Sequence, residues 1–288
     1  MTTLQCGIKA YDVHELLPHL VSKRLGYYGH AGLEVQVVDV TFVPDRDLPR
    51  ADYFQVACGA AYLGRREGHP FKVVLAATDR PMFWLHGGAA VERVEDLAGA
   101  RVATYPPVAP PHYFHRVTLR NHGLDPDADL AFLPGRDDLI RLAMLRDGDV
   151  EAAAISSAIS PVTVERLGLR RLAYFGDEVR FVTTGIATTE EILERQPDVL
   201  ATLAGVFRRA LKTIHESPAD VVPIIADVLR EPEDVAAETY ELIAGTYTRD
   251  GRVDQEQAQA SLDRVGAEVR FGTDVAAGDL YDFSLLDS

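Results

Sequence analysis

His14-Glu-Leu-Leu-Pro-His-Leu-Val-Ser-Lys-Arg-Leu-Gly26 lies between two short apolar runs, Leu4 to Ala10 and Leu33 to Val40, and this alternation decides the fold class. Leu16, Leu17, Leu20, Val21 and Leu25 recur at near-helical spacing, and Gly26 is placed to cap the helix C-terminus. The flanking runs read as strands, so the unit is strand, helix, strand. Gln55 to Cys58 reads as the end of another strand, Gly59 to Glu67 as a helix opened by small residues, and Phe71 to Ala77 as a strand of continuous apolar character. A chain that starts in this way predicts a largely parallel sheet flanked by helices.

The pattern then repeats. Val94 to Thr104 gives a one-turn helix, a glycine and a strand, and Tyr105 to Pro111 carries four prolines and reads as a loop. A helix from about His112 to His122 follows, with Asp125-Pro-Asp as a turn behind it. Further segments read as a helix at Asp137 to Asp147, a strand at Glu151 to Ser156, a short helix at Pro161 to Leu167 and an extended stretch at Leu169 to Tyr174. From Thr188 onward helices dominate, at Pro197 to His215, Ala219 to Leu229, Glu233 to Ala244 and Gln255 to Val265. The expected architecture is α/β with two lobes, each a mostly parallel sheet flanked by helices, and a helical C-terminal portion. Residues 1–85 plus 186–288 form the first lobe, residues 86–185 the second, and a ligand cleft lies between them.

The chain has 288 residues, of which 47% are hydrophobic, a length and composition that suit two globular lobes. Its formal charge of −15 removes the basic footprint of a non-specific nucleic-acid binder and disfavours anionic lipid surfaces, while leaving room for a local basic pocket. Two cysteines, Cys6 and Cys58, are too few for a disulfide framework, and no Cys/His spacing suggests structural zinc. No run of about 20 apolar residues suggests a transmembrane span. The N-terminus lacks the basic and apolar regions of a secretory signal, and Leu4-Gln5-Cys6 has no apolar stretch to make it a lipoprotein box. The expected location is cytoplasmic for the chain as given, and periplasmic or extracellular if a signal was removed.

Four stretches carry a family resemblance. Leu20-Val-Ser-Lys-Arg-Leu-Gly-Tyr-Tyr-Gly-His-Ala-Gly-Leu-Glu-Val-Gln-Val-Val38 is similar to the opening of the nitrate, sulfonate, taurine and thiamine-precursor substrate-binding proteins. Gly59-Ala-Ala-Tyr-Leu63 with Gly68-His-Pro-Phe-Lys-Val-Val74, Val94-Glu-Asp-Leu-Ala-Gly-Ala-Arg-Val-Ala103 and Gly148-Asp-Val-Glu-Ala-Ala-Ala154 resemble that superfamily's later signatures, in the same order. The resemblance implies a type II periplasmic-binding-protein fold that holds a small ligand between its lobes. In such sheets ligands sit beyond the carboxyl ends of the strands. The candidate ligand-binding residues are therefore Tyr11, Asp12 and His14 after the first strand; Cys58, Gly59 and Ala60; Arg80; Tyr105, His112 and Tyr113; Ser156 and Ser157; and Thr184 in the Thr183-Thr184-Gly185 return segment.

Each residue also has a plainer reading. Cys58 at a helix start could be an activated thiol or a small buried residue. Arg80 could clamp an acid or stand in solvent, and Asp79 beside it could simply pair with it. Ser156 and Ser157 could donate to ligand or cap a turn. His112 and His115, at i and i+3, share a helix face that His14 could approach, yet no carboxylate completes a metal motif, so neither metal nor cofactor is expected. Binding proteins of the superfamily commonly carry Gly/Ser residues where this chain has Tyr105-Pro-Pro-Val-Ala-Pro-Pro111, whose prolines offer no N–H to an anion. With Tyr105, Tyr113, Phe83 and Trp84 nearby, an aromatic organic acid suits the site better than nitrate or taurine. Phe83 and Trp84 could equally be packing.

Two functions follow. In the first, the protein is a binding module of the ABC-transporter substrate-binding type for a small, anionic and aromatic molecule, with a transporter permease as partner only if exported. In the second, it is a cytosolic lyase on the same scaffold. Resemblance to the aromatic desulfinases and decarboxylases implies a Cys/His/Arg site for which Cys58, His14 or His112, and Arg80 are the candidates. The superfamily's pyrimidine-precursor synthases use a cysteine-rich motif that this sequence lacks.

Overall fold

In the computed structural model, which describes residues 1–8, 12–40, 51–55, 61, 62, 64, 65, 68, 70–107, 109–269 and 275–287, ten strands form two five-stranded sheets. Strands β1 (Thr2–Ile8), β2 (Leu33–Asp39), β3 (Tyr53–Phe54), β4 (Phe71–Ala76) and β10 (Gly185–Thr189) make the first, in the order β2-β1-β3-β10-β4. Strands β5 (Phe83–Gly87), β6 (Arg101–Thr104), β7 (Ala131–Pro134), β8 (Ala152–Ser156) and β9 (Arg170–Tyr174) make the second, in the order β7-β6-β8-β5-β9. The orders match. In each sheet a single strand, β10 or β5, runs antiparallel to both its neighbours, and the other four run together.

The reversed strands are the first that the chain lays down on crossing from one sheet to the other. Because β5 and β10 run against their sheets, their starting residues lie at the carboxyl ends of the parallel strands, where ligands bind in open α/β sheets. Phe83 and the Thr183-Thr184 pair are thereby delivered to the same edge as the loops after β1, β4, β6, β7 and β8.

Burial follows from pattern. The continuous apolar run of β4 and the alanine-rich β8 are covered on both faces, as parallel strands between helices must be. The β1 helix, Val13–Arg24, buries Leu16, Leu17 and Val21 against the long amphipathic helix Pro197–Glu216. The latter contributes Leu200, Leu203, Phe207, Leu211 and Ile214 to the main core. No helix among the described residues is long and apolar enough to cross a membrane.

Several elements differ from the expectations. The helix after the prolines begins at Pro110 rather than His112, since the first turn of a helix has no use for the N–H groups that Pro110 and Pro111 lack. Phe83–Gly87 forms a strand that the sequence reading did not place. The return segment continues into strand β10 at Gly185, where a Cβ would lie 1.9 Å from the Leu75 carbonyl oxygen, so only glycine allows that approach. Strand β7 has four residues, too few to show a period, and gave no signal. Residues 61, 62, 64 and 65 are helical, within the expected Gly59 to Glu67 helix.

Candidate functional site

Asp12 and His14 open the helix that follows β1. Asp12 caps it: a carboxyl oxygen accepts the Glu15 N–H at 2.8 Å. Pro18, six residues in, has no N–H for the His14 carbonyl four residues back. The Tyr247 hydroxyl fills in from the C-terminal region, donating to the Val13 carbonyl at 2.9 Å and lying 3.4 Å from that of His14. This ties the helix start to the segment around Thr246 and Tyr247.

His14 is the hub. Its ring Nε2 lies 2.7 Å from the Thr183 hydroxyl and 3.2 Å from that of Thr78, and the two hydroxyls are 3.0 Å apart. The Thr184 N–H donates to Thr78 Oγ1 at 3.2 Å, so both crossings are tied to the β1 helix. From the second sheet, Ser157 Oγ accepts the His14 backbone N–H at 3.1 Å. Phe83 meets the imidazole edge-on, with centroids 6.1 Å apart. His14 Nδ1 and Thr184 Oγ1 are buried without a hydrogen-bond partner among the described residues. Burial lowers the His14 pKa to about 3, so the ring is neutral at neutral pH.

A second group faces it across Phe83. Tyr105 lies 5.4 Å from Phe83, centroid to centroid, and its hydroxyl donates to Asp138 at 3.0 Å. The same carboxylate receives the Ser156 backbone N–H at 2.7 Å and its hydroxyl at 2.9 Å. Arg141, wholly buried, pairs with Asp138, donates to the carbonyls of Ala154 and Gly135 at 2.6 Å each, and lies 3.6 Å above the Tyr105 ring centre. Its donors are thus spent within the protein, on holding the loops after β6, β7 and β8 together. Asp12 senses this cluster. Burial raises its pKa to about 7, the Glu15 N–H pulls it down, and the charge of Asp138 adds to the rise.

The helix Pro110–Asn121 supplies a third group. His112 packs edge-on to Phe132, and its Nδ1 has no hydrogen-bond partner among the described residues. Burial lowers its pKa, and so does the Arg116 charge, against the Tyr105 carbonyl and two carboxylates. Tyr113 lies beside it, with ring centroids 5.9 Å apart. His115 stacks on Phe175 and meets the Thr104 hydroxyl at 3.0 Å. Both histidines pack on aromatic rings and His115 also meets a structural hydroxyl, while His112 Nδ1 and His115 Nε2 are left without a hydrogen-bond partner among the described residues. Among the described residues, the groups that bring three potential metal-ligand atoms together are Asp12, His14 and Glu15, all within 4.8 Å of one another.

Arg80 lies beside Asp79 at 3.6 Å and Asp177 at 3.8 Å, and its Nε is buried without a hydrogen-bond partner among the described residues. Tyr11, Cys58, Gly59 and Ala60 lie outside the described residues. Cys6 is buried, and burial pushes its thiol up to about 12, which makes it unreactive. The structure thus gathers Asp12, His14, Ser157 and Thr184 at one point, sets Tyr105 and Ser156 across Phe83, and places Arg80 beside Asp79 and Asp177. Asp138, Arg141 and Tyr247 escaped the sequence reading. Asp137-Asp138 heads a helix after β7, a signal hidden because β7 itself was unreadable.

Residues 14–221 match the family model described as NMT1/THI5 like. Comparison with curated proteins finds no match. Among solved structures, the fold is similar to the periplasmic aliphatic sulphonate binding protein SsuA of Escherichia coli, with a TM-score of 0.77 and 16% identity over 97% of this chain and 91% of that one. It is similar also to the zinc-bound ligand-binding component of an ABC-type import system from Staphylococcus aureus, with a TM-score of 0.78 and 15% identity over 100% and 98%. A third similar structure is the desulfurization enzyme DszB, with a TM-score of 0.73 and 13% identity over 100% and 98%. A cysteine-to-serine variant of DszB has been solved in complex with biphenyl-2-sulfinic acid.

Proposed function

The chain belongs to the NMT1/THI5-like family, and from that membership we propose that it binds a small aromatic organic acid in a cleft between its two lobes. The lobes are residues 1–85 plus 186–288 and residues 86–185, a division that the two sheets support to within a few residues at each crossing. One observation carries the reading: the loops at the carboxyl ends of both sheets meet at His14, which is bonded to Thr183 on one side and Ser157 on the other. Around it, unpartnered atoms of His14 and Thr184 and the rings of Phe83 and Tyr105 offer a few directed polar contacts on an aromatic wall, the usual make-up of a small-molecule site. With Arg141 spent internally and Arg80 paired at 3.6 and 3.8 Å with Asp79 and Asp177, the acid group of the ligand would rest on hydroxyl and backbone donors.

A lyase acting on an aromatic acid is the second reading, favoured by one feature. Asp12, which takes up a proton near pH 7, stands beside a neutral His14, and a carboxyl poised in that range can pass a proton to a carbon losing CO₂ or SO₂. Native mass spectrometry with aromatic carboxylates, sulfinates and sulfonates, following both the complex and the small molecule, separates the two. A retained, unchanged ligand is the expected result. Loss of CO₂ or SO₂ would make the protein a lyase, and absence of any complex would contradict both readings.

A further inference from the structure

Asp12 is 4% exposed. One oxygen accepts the Glu15 N–H; no lysine or arginine among the described residues reaches the other. The nearest feature across the cleft is another carboxylate, Asp138, already supplied by Tyr105, Ser156 and Arg141. His14, 1% exposed, brings an unpartnered Nδ1 on the same helix turn, and the ligand-capable atoms of Asp12, His14 and Glu15 converge within 4.8 Å. A buried carboxyl with so little compensation is costly unless a positive group comes to it.

The geometry points to Asp12 as the receptor for a basic nitrogen on the ligand, an ammonium or amidinium that donates to the oxygen the helix cap does not use and to His14 Nδ1. This rests on the binding reading above and narrows it: the aromatic acid also carries a protonated amine. An organic cation suits the place better than a bare metal ion. The described ligand atoms come from three residues, Asp12, His14 and Glu15, in one turn at a helix N-terminus, whose dipole opposes a divalent charge more than a single one, and His14 Nε2 is already taken by two threonine hydroxyls. A primary ammonium can place two of its three N–H groups on Asp12 and His14.

Calorimetric titration at pH 8 with a matched pair, 4-(aminomethyl)benzoate and 4-methylbenzoate, tests it on the wild type and on Asp12→Asn. Asparagine caps a helix about as well as aspartate, so the variant keeps its fold. The expected result is at least tenfold tighter binding of the amine, an advantage that disappears in Asp12→Asn. Equal affinity for the pair, or an advantage that survives in the variant, overturns the proposal and leaves the binding reading standing. If neither compound binds, both fall. Zn²⁺ and Mn²⁺ titrated in parallel are expected to show no binding that depends on Asp12; metal binding lost in Asp12→Asn overturns the proposal in favour of a metal site.

Discussion

Asp12 sits at a helix start with the Glu15 N–H on one oxygen and the charge of Asp138 nearby, and burial dominates both, which is why its pKa rises to about 7. Between about pH 4 and pH 7 the folded protein holds a proton there that the unfolded chain has released. The stability contributed by that proton is present at pH 4, falls as the pH rises, and is gone above 7. Asp12→Asn removes the penalty and keeps the cap. The variant should match the wild type at pH 4 and exceed it at pH 8 by up to about 4 kcal/mol in urea unfolding. Equal stability at pH 8 would mean that Asp12 is not held above the usual carboxylate range. Of the candidate residues, Asp12, His14 and the serines were legible because strand ends and polar loops announce themselves. Asp138 and Arg141 were not, since a buried ion pair at i, i+3 is identical in sequence to a solvated one.

The helix Pro110–Asn121 is held to the C-terminal helix Gln255–Val269 by charge. Arg116 donates to Asp127 at 2.8 and 2.9 Å and to Glu268 at 3.0 Å, and Arg120 also pairs with Glu268. The side chains of Arg116 and Glu268 are each only 9% exposed. Glu268→Gln leaves Arg116 with Asp127 but removes a charge facing two arginines, and should cost about 1–3 kcal/mol, less in an Arg116→Met background. A double-mutant cycle read by thermal unfolding would measure this, and additive effects would mean that the pair does not couple. At β10, Gly185→Ala forces a methyl group onto the Leu75 carbonyl and should cost roughly 3 kcal/mol or more, seen as loss of cooperative melting. Such glycines are visible in sequence only as hinge candidates. What makes this one necessary is a neighbouring strand more than a hundred residues away.

Of the five histidines buried among the described residues, four set the acid limit of the whole protein, and His112 is lowered in the same direction. Burial takes His14, His86 and His115 to about 3 and His19 to about 4, far below the unfolded value near 6.5. Their stabilising share is full above pH 6.5 and is lost as the pH falls towards 4, because unfolding then takes up four protons, against one released by Asp12. A net of three protons gives a slope of about 4 kcal/mol per pH unit near pH 5. Unfolding midpoints should therefore drop steeply between pH 6 and pH 4.5, and a flat profile there would mean that the rings are solvated. The two-sheet plan was readable from alternating period and length, since each parallel strand needs a covering helix. The reversed strands β5 and β10 were not, because strand direction is fixed by the crossing of the chain and leaves no local mark. Yet that reversal is what carries Phe83, Thr183 and Thr184 to the edge shared by both sheets.

We propose that this shared edge is one ligand site built from both lobes. Hydrogen–deuterium exchange, with and without an aromatic acid that forms a complex by native mass spectrometry, tests it directly. Protection should appear together at residues 12–17 of the first lobe and at residues 104–116 and 154–158 of the second. Protection confined to one lobe, or centred on the surface recess lined by Arg252, Tyr281 and Asp282, would contradict it.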